Sequence, residues 1–482
     1  MVLLLLIIVP LVAVCATLLA KENIKAIERI VIVTAPIELG AVIWAIRAVL
    51  HDGSYGIESF FLLDALGAVI LLPVVLVGFS ATYYSIGYLR MELAKGIIAP
   101  PKVKQFFILL HLFLMAMYLA IVTINPIIMW IAIEATTLST AFLISFYNKP
   151  SSMEAAWKYL IINSIGLLLG FFGTLLFLSP TAGSTVEGLV NWHMLMTQIS
   201  TLDPLVLKIA FIFVLIGYGT KVGLVPLHTW LPDAHSKAPS PISALLSGAL
   251  LNVALLAVIR FKIVTDASVD VSFTRDLLII FGLASVIVSA FLIFPQKNYK
   301  RLFAYSSIEH MGIIAVGLGF GGIASFGALL HIMYHSLAKS ILFFTAGNVL
   351  LKYGSTKIPN IRGIISTLPV TGVIIIFGFL AITGIPPFGT FLTELYILSA
   401  GIAIHPVVTV VVLLMVALAF VGFLRHVVAM VFGNPLNPTP IGESGLWTVF
   451  PPLFMLLLLL LGSILLPEQL RTLIESAALF LQ

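Results

Sequence analysis

The feature that most constrains this chain is a succession of apolar runs, each about as long as a bilayer is thick. A membrane-spanning helix needs about 20 predominantly apolar residues. Such runs cover 2–20, 29–50, 60–88, 105–123, 125–147, 157–179, 205–226, 240–262, 275–294, 303–320, 323–350, 366–400, 405–432 and 446–466. They predict an all-α integral membrane protein of about 14 transmembrane helices, because helices satisfy their own backbone groups in lipid. Only 9% of the 482 residues are charged, against about 25% in a soluble domain. No soluble domain is expected. The tail after Pro467 spaces its apolar and charged residues like an amphipathic helix lying in the interface. The first run has no basic residue before it, and Val14 precedes Cys15 where a lipoprotein signal wants a small residue, so it reads as a retained span. A single cysteine excludes an internal disulfide and a cysteine-held zinc or iron–sulfur site.

Basic residues set the orientation. With the N-terminus on one side, seventeen of the 25 Lys and Arg fall in loops of the opposite side and six on the N-terminal side. The bias makes the richer side the cytoplasm, with both termini outside a plasma membrane. The net charge of +5 is therefore a topology signal, and no nucleic-acid partner is expected. Two lysines escape the sorting, Lys221 and Lys339, because both fall inside apolar runs.

Glycine and proline interrupt two spans. The seventh reads KVGLVPLHTWLP over Lys221–Pro232 and the twelfth ITGIPPFGTFLTEL over Ile382–Leu395. Breaks five spans apart suggest an internal repeat, spans 4–8 and 9–13, with an ion path between broken helices. Breaks of this kind also serve as packing kinks. The chain divides into an N-terminal three-helix segment (1–103), the two repeats (104–263 and 264–432), and a last span with its tail (433–482).

Charges at membrane depth are costly and mark ion routes. Glu134 sits near the middle of the fifth span and must be protonated, paired or hydrated; a structural ion pair is the plainer alternative. Lys221 is a relay if its charge follows a movable carboxylate such as Glu134, or else it snorkels to an interface. His331, His335 and Lys339 recur at i, i+4 and i+8 and share one helix face, as a proton wire would. Structural histidines, or a haem or metal pair, are the alternatives. Glu394 follows the second break, either as a terminal exit site or as a carboxylate on a helix dipole. His228, Asp233, His235 and Lys237 form an entry funnel or a solvated loop. Glu309 and His310 open the tenth span with an equally ambiguous role. Glu38 and Asp64 lie outside the repeats and suit helix packing or a neighbouring subunit.

At these residues the chain resembles a known family, the antiporter-like subunits shared by respiratory complex I, Mrp-type sodium/proton antiporters and group 4 membrane-bound hydrogenases. The motifs are GTKVGLVPLHTWLPDAHSKAPSPISALLSG, SSIEHMG at Ser306–Gly312 and HSLAKSILFFTAGNV at His335–Val349. EATTLSTAFLISFYNKPSSMEAAWKYLI looks most like the hydrogenase-4 and formate-hydrogenlyase branch. The resemblance implies two inverted five-helix repeats, a broken seventh and twelfth helix and a central polar axis. It implies that Glu134, Lys221, Lys339 and Glu394 carry ions, with His331 and His335 beside them and His228, Asn252 and Glu309 as entry or relay groups. Asn252 stands where some relatives carry lysine, so a wire there needs water or a detour through the histidines. The long lateral helix of one complex I subunit has no counterpart after the last run.

The resemblance further implies an H+- or Na+-translocating subunit of a redox complex, with no cofactor of its own. Its partners would be other membrane-arm subunits and a peripheral redox arm on the cytoplasmic side. Iron–sulfur clusters and a nickel-iron site would lie in those partners if the complex is a hydrogenase. A stand-alone cation/proton antiporter, or an anchor that has lost transport, are the competing readings.

Overall fold

The computed structural model describes residues 2–57, 60–179, 191–198, 203–436 and 440–481. Most of the polar stretch that follows the sixth apolar run lies outside the described residues. The first helices are α1 (Val2–Leu19), α2 (Ile24–Asp52), α3 (Ala65–Ala94), α4 (Pro100–Val122), α5 (Pro126–Ile144), α6 (Pro150–Leu178) and the short α7 (Trp192–Gln198). Then follow α8 (Pro204–Val222), α9 (Trp230–Lys237), α10 (Ser240–Leu245), α11 (Leu251–Asp266), α12 (Val271–Ile293), α13 (Tyr299–Phe320) and α14 (Ile323–Tyr353). The remainder are α15 (Ile364–Thr367), α16 (Pro369–Ile382), α17 (Gly389–Ile404), α18 (Pro406–Val431), α19 (Leu446–Leu465) and α20 (Glu468–Leu479).

Thirteen helices among the described residues are long and apolar enough to cross a bilayer, counting α10 and α11 as one. Two shorter apolar helices, α16 and α17, follow each other where the sequence places the broken twelfth span. The architecture is thus the helical membrane bundle that the apolar runs demand, with one short hairpin ahead of the third span.

Helix boundaries follow local chemistry. Proline opens α4, α5, α6, α8, α16 and α18, where its missing N–H costs nothing. Asn125, Asp203, Asp270 and Asn298 cap helix starts by accepting backbone N–H groups. The third apolar run starts earlier than its helix. Strands β1 (Ser54–Ile57) and β2 (Phe61–Asp64) pair antiparallel ahead of α3. Asp64 therefore lies at the cap of α3, where it accepts the Gly67 N–H and pairs with Arg260 at 2.7 and 2.9 Å.

The innermost elements are the α10–α11 helix, α13 and α14, buried along almost their whole length. A single π-helical turn, Leu246–Leu250, joins α10 to α11. Glycine lets two helix pairs come close around this centre. A Cβ at Gly217 of α8 would lie 2.2 Å from the Gly170 nitrogen of α6, and one at Gly312 of α13 would lie 2.7 Å from the Gly282 oxygen of α12. The tail helix α20 buries Leu473, Ile474 and Ala477 against the bundle and leaves Leu479 and Phe480 exposed.

The two breaks are built alike. The α8 helix stops at Gly223 (φ 86°) and α16 stops just before Gly384 (φ 63°). Both values lie in the left-handed region open to glycine. Each break then has one cis X-Pro bond, Val225–Pro226 and Pro386–Pro387, before the next helix begins.

Candidate functional site

Lys221 occupies the last turn of α8, immediately before the first break, and is completely buried. Its Nζ donates to Thr137 Oγ1 and to the Tyr159 hydroxyl, each at 2.7 Å, and lies 4.8 Å from the centre of the Tyr159 ring. A lysine held this way does not snorkel. Glu134 is half-buried and makes no direct ion pair with Lys221. Ser164 donates to its Oε1 at 2.8 Å, and Thr137 reaches its Oε2 at 3.5 Å. One hydroxyl, that of Thr137, therefore stands between the cation and the carboxylate. Glu134 shares its helix with the exposed Ile131, Leu138 and Phe142.

The segment after the first break is mixed in exposure: Pro226 and Thr229 are exposed and Asp233 and Lys237 half-buried, while its two histidines are buried. His228 is 8% exposed and His235 is fully enclosed, its ring 4.7 Å from that of Phe343. Neither ring nitrogen of His235 has a hydrogen-bond partner among the described residues. Asp233 pairs with Arg301 and more distantly with Lys158, at 3.5 Å. By sequence, only two lysines, Lys221 and Lys339, fall inside apolar runs. The structure buries Lys300 as well, with its Nζ 2.6 Å from the Ala238 oxygen. The cause is Asn298, which caps α13 earlier than the apolar run begins and puts Lys300 in its first turn, packed against α9. Lys262 is also buried, paired with Asp266.

At the centre, Asn252 donates to Ser336 Oγ at 2.8 Å, and Ser247 meets Ser307 at 2.7 Å. The π turn precedes Asn252 by one residue; such turns are frequent at functional positions.

The three α14 residues that share a face all turn toward α13. Lys339 Nζ donates to Ser306 Oγ at 2.7 Å and to the Phe303 oxygen at 2.9 Å. His331 Nε2 lies 2.9 Å from His310 Nδ1, and its Nδ1 lies 2.7 Å from Thr393 Oγ1. The His335 ring is 5.5 Å from that of His310, with no hydrogen bond to either nitrogen among the described residues. Glu394 lies in the second turn of α17, beyond the reach of a dipole effect confined to the first. Gly384 makes room for it: a Cβ there would stand 2.3 Å from Glu394 Oε2. Glu309, His310, Thr383 and Glu394 line a cavity of about 10 Å³.

Two groups, then, are brought together. Glu134, Lys221, Thr137 and Tyr159 form one; Lys339, Ser306, Glu309, His310, His331, His335 and Glu394 form the other. Residue spacing along one helix missed Tyr159, Thr137 and Ser306 and left the role of His310 open, because each acts across helices. Glu38 and Glu92 are two further buried carboxylates, bonded to the hydroxyls of Tyr118 (3.1 Å) and Tyr147 (2.6 Å). Their only sequence signal is an acid within an otherwise buried helix stripe.

Comparison with known proteins bears on the family and the fold. Residues 123–420 match the family model described as NADH:quinone oxidoreductase/Mrp antiporter, TM. The chain is 40% identical to the Hydrogenase-4 component F homolog of Methylacidiphilum infernorum (isolate V4), over 84% of this chain and 85% of that one. It is 28% identical to NADH-quinone oxidoreductase subunit N of Desulforudis audaxviator (strain MP104C), over 95% and 93%. Among solved structures, a chain of the archaeal membrane-bound sulfane sulfur reductase superposes with a TM-score of 0.89 at 23% identity, covering 100% of this chain and 97% of that one. A chain of the Mrp complex from Dietzia sp. DQ12-45-1b does so with a TM-score of 0.85 at 18% identity, covering 99% and 96%. At such identities the structures speak to the fold.

Proposed function

The chain belongs to the NADH:quinone oxidoreductase/Mrp antiporter, TM family, and we propose that it moves protons through the membrane arm of a respiratory redox complex. It is an antiporter-like membrane subunit, as its relatives are. The observation that carries the proton reading is the setting of its two central lysines. Lys221 and Lys339 are fully buried, held by hydroxyls and a carbonyl, with no carboxylate in direct contact. A lysine with three rotatable donors and no fixed counter-ion can release and regain a proton as its surroundings change. Sodium would need several oxygen ligands, and histidines fill the second cluster instead.

The proposed order is entry near His228, then Lys221 with Glu134, the Ser247–Asn252 centre, Lys339, and exit at Glu394 past Glu309 and the histidines. Asn252 cannot take a proton, so the step beside it uses water or the His335–His310 pair. Spans 4–8 and 9–13 act as two inverted repeats, an arrangement supported by the left-handed glycine, Gly223 or Gly384, at each break. The complex sits in the plasma membrane with both termini of this chain outside. A cytoplasmic redox arm drives it; in a hydrogenase that arm holds the iron–sulfur clusters and nickel-iron site. The half-buried Glu134 on an apolar face favours a subunit of a complex over a stand-alone antiporter, since a carboxylate facing hydrocarbon is costly.

The test is coupled ion movement in proteoliposomes containing the whole complex. Glu134→Gln and Lys221→Ala should each abolish it while assembly survives. Full pumping by both variants would sink the assignment.

A further inference from the structure

The cluster at the second break holds an arrangement that proton transfer does not require. His310 of α13, His331 of α14 and Glu394 of α17 each present a ligand atom, and these atoms lie within 4.8 Å of one another. All three side chains are buried.

The hydrogen bonds settle which atoms are free to bind. The Thr393 hydroxyl donates to the Thr390 carbonyl at 2.8 Å, so toward His331 it accepts. His331 thus carries its proton on Nδ1 and points the lone pair of Nε2 at His310. A neighbour that fixes the tautomer in this way is the usual support of a metal-binding imidazole. Glu394 Oε1, although buried, has no hydrogen-bond partner among the described residues. The adjoining cavity of about 10 Å³ is about the size of one water.

We propose that His310, His331 and Glu394 bind one divalent ion of the zinc class, with a water as fourth ligand, and that the ion clamps α17 to α13 and α14. Two imidazoles and one carboxylate with an open position make a recurrent zinc donor set. Imidazole nitrogens select such ions over magnesium or calcium. Ligands held at about 2.0–2.1 Å in a tetrahedron stand about 3.3 Å apart. The two rings, now 2.9 Å apart at their nearest nitrogens, need to part by a few tenths of an ångström, and the carboxylate needs to move in. As the ion takes the place of the proton that His310 Nδ1 shares with His331, His310 carries its proton on Nε2 instead, so both rings ligate as neutral imidazoles and no net proton is released from them. The ion is exogenous, not a resident cofactor, and by pinning the helix after the break it would slow any motion there. The site is independent of the transport reading, because binding is read directly.

The experiment is a Co²⁺ titration of the intact purified complex, followed by visible absorption. A d–d band should saturate at one ion per copy of this chain above the level in His331→Gln, and Zn²⁺ should displace it. Thr393→Val leaves all three ligands in place and should weaken Co²⁺ about 10- to 100-fold. The same Co²⁺ uptake and spectrum in wild type, His331→Gln and Thr393→Val would overturn the site. If His331→Gln fails to assemble, zinc K-edge absorption of the wild type decides. Two imidazoles and a carboxylate oxygen support the site; a shell without imidazole overturns it.

Discussion

The two broken spans are alike in backbone and unlike in surroundings. At the first break Lys221 stands one hydroxyl away from a carboxylate that opens onto an exposed apolar face. At the second, Lys339 belongs to an enclosed cluster with two carboxylates, three histidines and a small cavity. The same local device therefore serves one site that opens to the outer face of the bundle and one that is sealed within the chain. What differs is the packing: α5 and α6 lie at the surface, whereas α13 and α14 lie at the centre.

If the two sites work in series, loss of either lysine should have the same consequence. Lys221→Ala and Lys339→Ala are each expected to reduce coupled translocation to background in proteoliposomes. Retained transport in only one of them would break the series and show that one half suffices.

Next in size are the helix approaches beside the two sites. Gly217→Ala drives a methyl to 2.2 Å from the backbone of Gly170, while Gly312→Ala meets the Gly282 oxygen at 2.7 Å. Overpacking costs about 1–3 kcal/mol and occasionally more. Gly217→Ala should lie at or above the top of that range and Gly312→Ala within it, read as loss of melting temperature in the purified complex. The reverse order would mean that the first half yields more readily than its geometry suggests.

The glycines of the breaks separate strain from function. Both have positive φ, so alanine costs about 1–2 kcal/mol at either. Gly223→Ala presses only on the flexible end of Leu231, at 2.6 Å, whereas Gly384→Ala presses on the Glu394 carboxylate. Thermal stability should fall at both positions, and translocation should fall further in Gly384→Ala. Equal translocation in the two would argue against a role for Glu394.

The smallest effects concern single hydroxyls. Thr137→Val removes the link between Lys221 and Glu134. Leaving a buried polar group unpaired costs about 1–3 kcal/mol, and about 1.4 kcal/mol is tenfold in rate. Thr137→Val should slow translocation about tenfold. Ser306→Ala should slow it less, about threefold, because the Phe303 carbonyl still holds Lys339. Initial rates of ion uptake distinguish the two.

The bundle was legible in the chain because bilayer thickness imposes one length on every span, and proline and asparagine mark where several of them start. The two breaks were legible for the same reason: glycine and proline act through their own backbones. The α14 face carrying His331, His335 and Lys339 could be read from periodicity alone, and in the fold all three do turn to one neighbour. Where the reading fell short, the cause was partners on other helices. Lys300 looks like a loop residue until Asn298 is seen to cap its helix. His310 and Thr393 have no visible connection to His331 along the chain.

By itself, then, the sequence determined the solvent, the class of fold, the positions of the breaks and several of the costly charges, Lys221, Lys339, Glu134 and Glu394 among them, because each depends on local composition or on the transfer of side chains into lipid. Only the tertiary structure decided that Thr137 stands between Lys221 and Glu134, that Glu134 reaches an outer face, and that His310, His331 and Glu394 converge. Those are distances between helices far apart in the chain, and helix packing, not periodicity, sets them.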